Sequence, residues 1–150
     1  MPKGCVLRRG FASKFYVGRG LGQNIPDITE TLIQFNNVIF DLLQEYNTTT
    51  PNVFQPKRTG YYKLDAHAII NNLNVGDTFR LSFLINGVVG INSAYNQANS
   101  LNEEIALSIS GLYRLTPTDI VGVVVWHNFG AVRAIQGNWY ETNFCGFRVD

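Results

Sequence analysis

Along residues 61–70 the side chains alternate, with Tyr62, Leu64, Ala66, Ala68 and Ile70 on one side of an extended chain and Tyr61, Lys63, Asp65 and His67 on the other. A period of two predicts a long β-strand with one apolar face. Ahead of it stand Phe54, Pro56 and Gly60. Proline cannot donate to a central ladder and glycine permits bends that other residues resist, so a hydrophobic plug and a corner are expected before the strand begins. Further extended runs are predicted at 31–35, 38–43, 78–85, 88–91, 105–112, 120–126, 132–135 and 144–149, parted by clusters of Asn, Gly, Pro and Thr. Asn86-Gly87 between two apolar runs signals a two-residue hairpin turn. Residues 30–46 also admit an amphipathic helix, but Asn36-Asn37 and the β-branched residues around them favour two strands with a break. Many short strands with regular turn signals define an all-β sandwich or jelly roll. Its inward-facing set should include Tyr62, Leu64, Ala66, Leu81, Phe83, Val121, Val123 and Val125.

Composition narrows what the strands belong to. A chain of 150 residues, 45% hydrophobic and only 15% charged, suits one domain with a substantial core and a surface on which Asn replaces ionic groups. Such a neutral surface suits contact with another subunit. The net charge of +1 is unevenly spread, because Lys3, Arg8, Arg9, Lys14 and Arg19 all precede the first acid, Asp27. An extended basic arm over 1–26 and a jelly-roll domain over 27–150 are therefore expected. Within the arm, Gly18-Arg19-Gly20-Leu21-Gly22 has phosphate-loop spacing, but Pro26 and the polar residues after it offer no helix whose N-terminus would face a phosphate. Cys5 and Cys145 form no Cys-x-x-Cys pattern and are expected to be free thiols. No signal-peptide core and no membrane-length apolar run is present, so synthesis in a host cytoplasm without a membrane step is expected. Asn47-Thr48-Thr49 fits a glycosylation sequon and is read as a polar loop.

Catalytic chemistry finds few matching residues. His67 and His127 are the two histidines, no Gly-x-Ser-x-Gly elbow occurs, and Ser108-Ile109-Ser110-Gly111 falls within a strand. Glu103 and Glu104 are adjacent and point to opposite faces of a strand. Asp65 and His67 share a face, yet two ligands are fewer than a metal site needs. The expectation is a protein that is not an enzyme and takes no cofactor or metal. Trp126, Trp139 and Tyr140 are candidate ligand contacts able to stack on a sugar ring, although aromatic residues at strand ends also close cores. The basic arm suits either a nucleic-acid tether or a clamp on a protein lattice, and the clamp is preferred.

From about Phe15 to Val149 the order of features resembles the complement component 1q globular head and its relatives in the tumour necrosis factor superfamily. The matching pieces are Phe35 with Val38 and Asp41, Phe54-Gln55-Pro56 followed by Gly60-Tyr61-Tyr62, Ser108 to Leu115 followed by Asp119-Ile120-Val121, and Phe144-Cys145-Gly146-Phe147. The chain has no collagen-like Gly-x-y repeat, and no calcium ligands of the family are matched. The resemblance implies an antiparallel two-sheet jelly-roll sandwich of about ten strands, and homotrimers packed through one sheet's outer face. That face would carry Tyr61, Lys63, Asp65 and His67, too aromatic for a solvated surface and too polar for a core. Arm contacts with a larger assembly would come from Lys3, Val6, Leu7, Arg8, Arg9, Phe11, Lys14 and Phe15. The expected function is structural: a trimer docking through its arm as a decoration (cement) or head-fibre protein on a bacteriophage capsid. The alternative is a receptor- or glycan-binding trimer displayed on a virion or spore.

Overall fold

A computed structural model describes residues 12–149. Lys3, Cys5, Val6, Leu7, Arg8, Arg9 and Phe11 lie outside the described residues. Eleven strands follow in chain order: β1 (Lys14–Gly18), β2 (Gln23–Ile25), β3 (Thr31–Leu32), β4 (Asn37–Asp41), β5 (Gly60–Leu73), β6 (Thr78–Ile85), β7 (Val88–Gln97), β8 (Glu103–Leu115), β9 (Val121–His127), β10 (Arg133–Ile135) and β11 (Asn143–Arg148). All pairings are antiparallel. The larger sheet is centred on β5, whose fourteen residues alternate buried and part-exposed as the period of two predicts. One edge of β5 pairs with β8 from Gly60 opposite Leu115 to Leu73 opposite Glu103. Its other edge pairs with β11, β11 with β1, and β1 with β4, while β10 joins β5 at Ile70 and carries β2. The smaller sheet runs β3-β9-β6-β7. Two stacked antiparallel sheets make the jelly roll that the strand pattern implied.

The plug ahead of β5 is Phe54. Its ring stacks 4.4 Å from Phe15 and meets Tyr62 edge-on at 5.6 Å, and its backbone exchanges two 2.8 Å hydrogen bonds with Val121 of the smaller sheet. One residue therefore ties both sheets together. All eight predicted core residues are inward-facing and at most 3% exposed. The β6–β7 hairpin turns through Asn86 and Gly87 at φ 50° and 80°, the left-handed pair that a two-residue turn requires.

Four expectations are corrected. The boundary at residue 26 fails, because β1 lies between β11 and β4 in the larger sheet and Phe15, Val17 and Ile25 are core residues. Phe15, 1% exposed, has no side chain to offer an assembly partner. Arg19 is also buried: its Nε donates to the Leu21 carbonyl at 2.9 Å, Nη2 to Gly22 at 3.1 Å and Nη1 to Gln34, so it pins two loops and is no free arm charge. Burial lowers its pKa from the usual arginine value, and the backbone carbonyls offset the cost of enclosing the cation. Gly60 does not make its corner through a left-handed conformation; it is the first paired residue of β5. Residues 30–46 do form two strands with a break, and the break carries the chain from the smaller sheet at β3 to the larger at β4.

Candidate functional site

Strand register decides what the outer face of the larger sheet presents. Successive rows across β8, β5, β11 and β1 read Leu112-Lys63-Phe147-Lys14 and then Ser110-Asp65-Cys145-Tyr16, with Phe40 of β4 opposite Tyr16. The next row holds Ser108, His67 and Asn143. Tyr61, Lys63, Asp65 and His67 thus share one face, as their spacing predicted. Lys63 Nζ sits 2.9 Å from Asp65 Oδ1 and also donates to Ser110 Oγ, while His67 Nδ1 lies 2.6 Å from the Glu141 carbonyl oxygen. Lys63, Asp65 and Ser110 are tied to one another, and His67 to the Glu141 backbone.

Around them stands an apolar set of which sequence reasoning found only Tyr61. Phe40, Leu42, Tyr61, Leu112, Phe147 and Val149 are each 43–59% exposed. Leu112 and Phe147 occupy the outward phase of β8 and β11, which the alternation of those strands could have shown. Phe40 could not be found that way, since Val38, Ile39 and Phe40 are all exposed on the edge strand β4. Lys14, Tyr16, Phe40, Asp65, Cys145 and Phe147 line a recess of about 360 Å³ in this face. Burial, and secondarily the Asp65 carboxylate, raises the Cys145 thiol pKa above its usual value, so the thiolate is disfavoured at neutral pH.

The three predicted sugar contacts do not form one site. Trp139 packs over Gly18 and meets Tyr16 at 5.8 Å and Tyr140 at 5.7 Å, beside the larger sheet. Trp126 lies in β9 of the smaller sheet under the Arg80 guanidinium. A larger groove of about 740 Å³ runs along residues 44–57 and Pro117. Its polar side chains are occupied locally: Gln55 donates to the Pro117 carbonyl, Lys57 Nζ to that of Leu43, and buried Glu45 accepts from Ser13 and from the Lys57 amide. Among the described residues no three His, Cys, Asp or Glu side chains are grouped to hold a metal ion.

A two-sheet antiparallel jelly roll is a β-sandwich architecture. Comparison with solved structures shows a fold shared with complement component 1q and tumour necrosis factor domains. The globular domain of zebrafish complement 1qA protein matches with a TM-score of 0.63 at 19% identity, over 92% of this chain and 98% of that one. Murine APRIL at pH 8.5 matches with a TM-score of 0.67 at 11% identity, over 93% and 100%. Eiger TNF from S. frugiperda gives 0.65 at 9% identity, over 93% and 92%. No family model and no curated protein matches the chain in sequence. The resemblance in the order of Phe54-Gln55-Pro56, Gly60-Tyr61-Tyr62 and Phe144 to Phe147 thus corresponds to a shared fold.

Proposed function

We propose that the chain is a non-catalytic homotrimeric interaction module that packs three copies through the outer face of the larger sheet. It docks on a larger assembly through its N-terminal residues, as a decoration (cement) or head-fibre protein on the capsid surface of a bacteriophage. The observation carrying this reading is the outer face itself: Leu112, Phe147, Phe40, Tyr61 and Val149 stand half-exposed around the Lys63–Asp65 ion pair and a His67 bonded to the Glu141 carbonyl. An aromatic and apolar core with internally satisfied polar groups is the composition of a subunit interface. Residue 13 also supports the docking role. Its carbonyl accepts from Arg148 N and its hydroxyl is bonded to Glu45, so the chain ahead of it starts beside Phe147 at one end of this face. Three copies packed through that face would present three basic segments together, and linked weak contacts gain by effective concentration. A lattice of repeating acidic or hydrogen-bonding grooves is the partner such segments suit.

Light scattering and native mass spectrometry should give a trimer at micromolar concentration, and Phe147→Asp should release monomers that keep their β-sheet circular dichroism. A stable wild-type monomer would sink the trimer. Co-sedimentation with undecorated capsids tests docking separately: a trimer lacking residues 1–11 should lose binding, and undiminished binding would refute the arm's role.

A further inference from the structure

Between β8 and β9 the chain turns through residues 116–120 and meets the tip of the β6–β7 hairpin. Asn86 makes the junction. Its backbone N–H donates to the Ile120 carbonyl at 3.0 Å, its Oδ1 accepts from Ile120 N at 2.9 Å, and its Nδ2 donates to Asp119 Oδ1 at 2.7 Å. Asp119 is itself held through its other oxygen by Thr116 N and Oγ1. Position 86 thus needs a donor and an acceptor on one side chain, together with a φ of 50°, which asparagine tolerates. An ionised aspartate in its place could not donate to Asp119. The same residue begins a reactive step. Asn86-Gly87 is the one Asn-Gly pair in the chain, and both residues are exposed. A Cβ at Gly87 would meet nothing within 4 Å, so no neighbouring group crowds the backbone there.

We propose that Asn86 is a deamidation site held in check by its bonds to Asp119 and Ile120, and that its conversion releases the β6–β7 hairpin from the loop ahead of β9. In the reaction the Gly87 backbone nitrogen attacks Asn86 Cγ, the Cγ–Nδ2 bond breaks, and ammonia leaves carrying the proton that Gly87 gives up. Water then opens the succinimide at either carbonyl, leaving an aspartate or an isoaspartate in the chain. The tie opposes the first step. Asn86 meets Ile120 both through its own N–H and through Oδ1, so its side chain lies beside its own nitrogen, whereas ring closure needs it against the nitrogen of the next residue. Both side-chain bonds must open before attack, which makes the rate follow local opening of the loop. Once made, the change is one-way. A carboxylate at position 86 sets a like charge where an amide donor stood 2.7 Å from Asp119, and an isoaspartate also lengthens the backbone of a two-residue turn. The hold on residues 116–120 is then lost next to Val121, to which the Phe54 plug is bonded. None of these residues lies on a strand of the larger sheet, so the inference stands whether or not the chain trimerises.

Peptide mapping by mass spectrometry tests the check, on full chain incubated in mildly alkaline buffer with and without urea above the unfolding midpoint. Folded chain is expected to deamidate at Asn86 at least about tenfold more slowly than unfolded chain at the same pH and temperature, the factor that two hydrogen bonds supply. Asp119→Ala should recover most of that difference, while Glu103→Ala, whose carboxylate caps a different turn, leaves the rate unchanged. Hydrogen exchange of the Ile120 amide in the wild-type chain needs no variant: in urea below the midpoint, exchange and deamidation should accelerate together. Asn86→Asp introduces the like charge without the ring chemistry and should lower the melting temperature. Equal rates in folded and unfolded chain, an Asp119→Ala rate no faster than wild type, or deamidation that does not follow Ile120 exchange would overturn the check. An unchanged melting temperature in Asn86→Asp would overturn the release.

Discussion

Truncating Phe144 to alanine should be among the most costly single changes in the domain. The ring is fully buried on β11 and faces Phe15 at 4.9 Å, Phe35 at 5.9 Å, Phe83 at 6.0 Å and Tyr46 at 6.2 Å. Phe83 belongs to the opposite sheet, so the hub joins the two layers. Losing roughly 100–150 Å² of buried apolar area at about 25 cal/mol per Å² costs about 2.5–4 kcal/mol, and the cavity left behind adds to it. Four neighbouring rings are fixed by their own backbones and cannot close the gap, which places the expected loss near 4 kcal/mol within the usual range of about 3–5. At roughly 2–4 °C per kcal/mol for a chain of this size, the melting temperature should fall by about 8–16 °C. Phe144→Leu keeps most of the volume and should cost only about 1–1.5 kcal/mol. Urea denaturation followed by circular dichroism, with all proteins at one concentration because the proposed trimer would add a mass-action contribution, measures both. A loss below about 1 kcal/mol for Phe144→Ala, or equal losses for Ala and Leu, would refute the hub.

Gly137→Ala should destabilise the chain by about 2 kcal/mol or more, since a Cβ there would sit 1.9 Å from the Leu21 carbonyl carbon; a neutral effect on the melting curve would show that this crossing is loose. Asp119 accepts from Asn86 Nδ2 at 2.7 Å and from Thr116 N and Oγ1 at 2.7 and 2.9 Å, and these bonds hold its carboxyl below the ordinary aspartate pKa. A depressed pKa contributes stability that is present above the unfolded value of about 4 and is lost as pH falls through the folded one. Asp119→Asn should therefore cost somewhat under about 1 kcal/mol at neutral pH, solvent screening included, and the gap to wild type should close on acidification below about pH 4. A gap independent of pH would exclude the charged hydrogen bonds as its source.

What could be read in advance followed the physics of each segment. The alternation of 61–70 and the Asn86-Gly87 pair are local signals, one set by a period and one by two backbone conformations, and both survive folding unchanged. The N-terminal strand was not legible, because KFYVG carries one exposed lysine beside glycines and arginines and looks like a tail until β11 supplies its partner. Arg19 was misread for a related reason. Its charge is visible in the sequence, but the three carbonyls that satisfy it come together only in the fold. β7 runs on to Gln97, past the apolar residues that marked it, because ladder pairing with β6 holds Ala94 to Gln97 in place. Of the outer face of the larger sheet, Tyr61, Lys63, Asp65 and His67 were found by alternation along β5. Phe40, Leu42, Leu112, Phe147 and Val149 were not, since their neighbours lie across strands distant in the chain.

The position of β11 fixes the order in which the molecule can be made. It is the last strand among the described residues, yet it separates the first of them, β1, from the central β5, pairing Phe144 with Val17 on one side and with Ala66 on the other. On the ribosome β1 waits for about 125 residues between Gly18 and Asn143, roughly 6–25 s at about 5–20 residues per second. Throughout that interval Phe15 and Val17 have only β4 to pair with. The larger sheet cannot close until β11 has been made, so a nascent chain halted before Asn143 leaves β1 unjoined to β5.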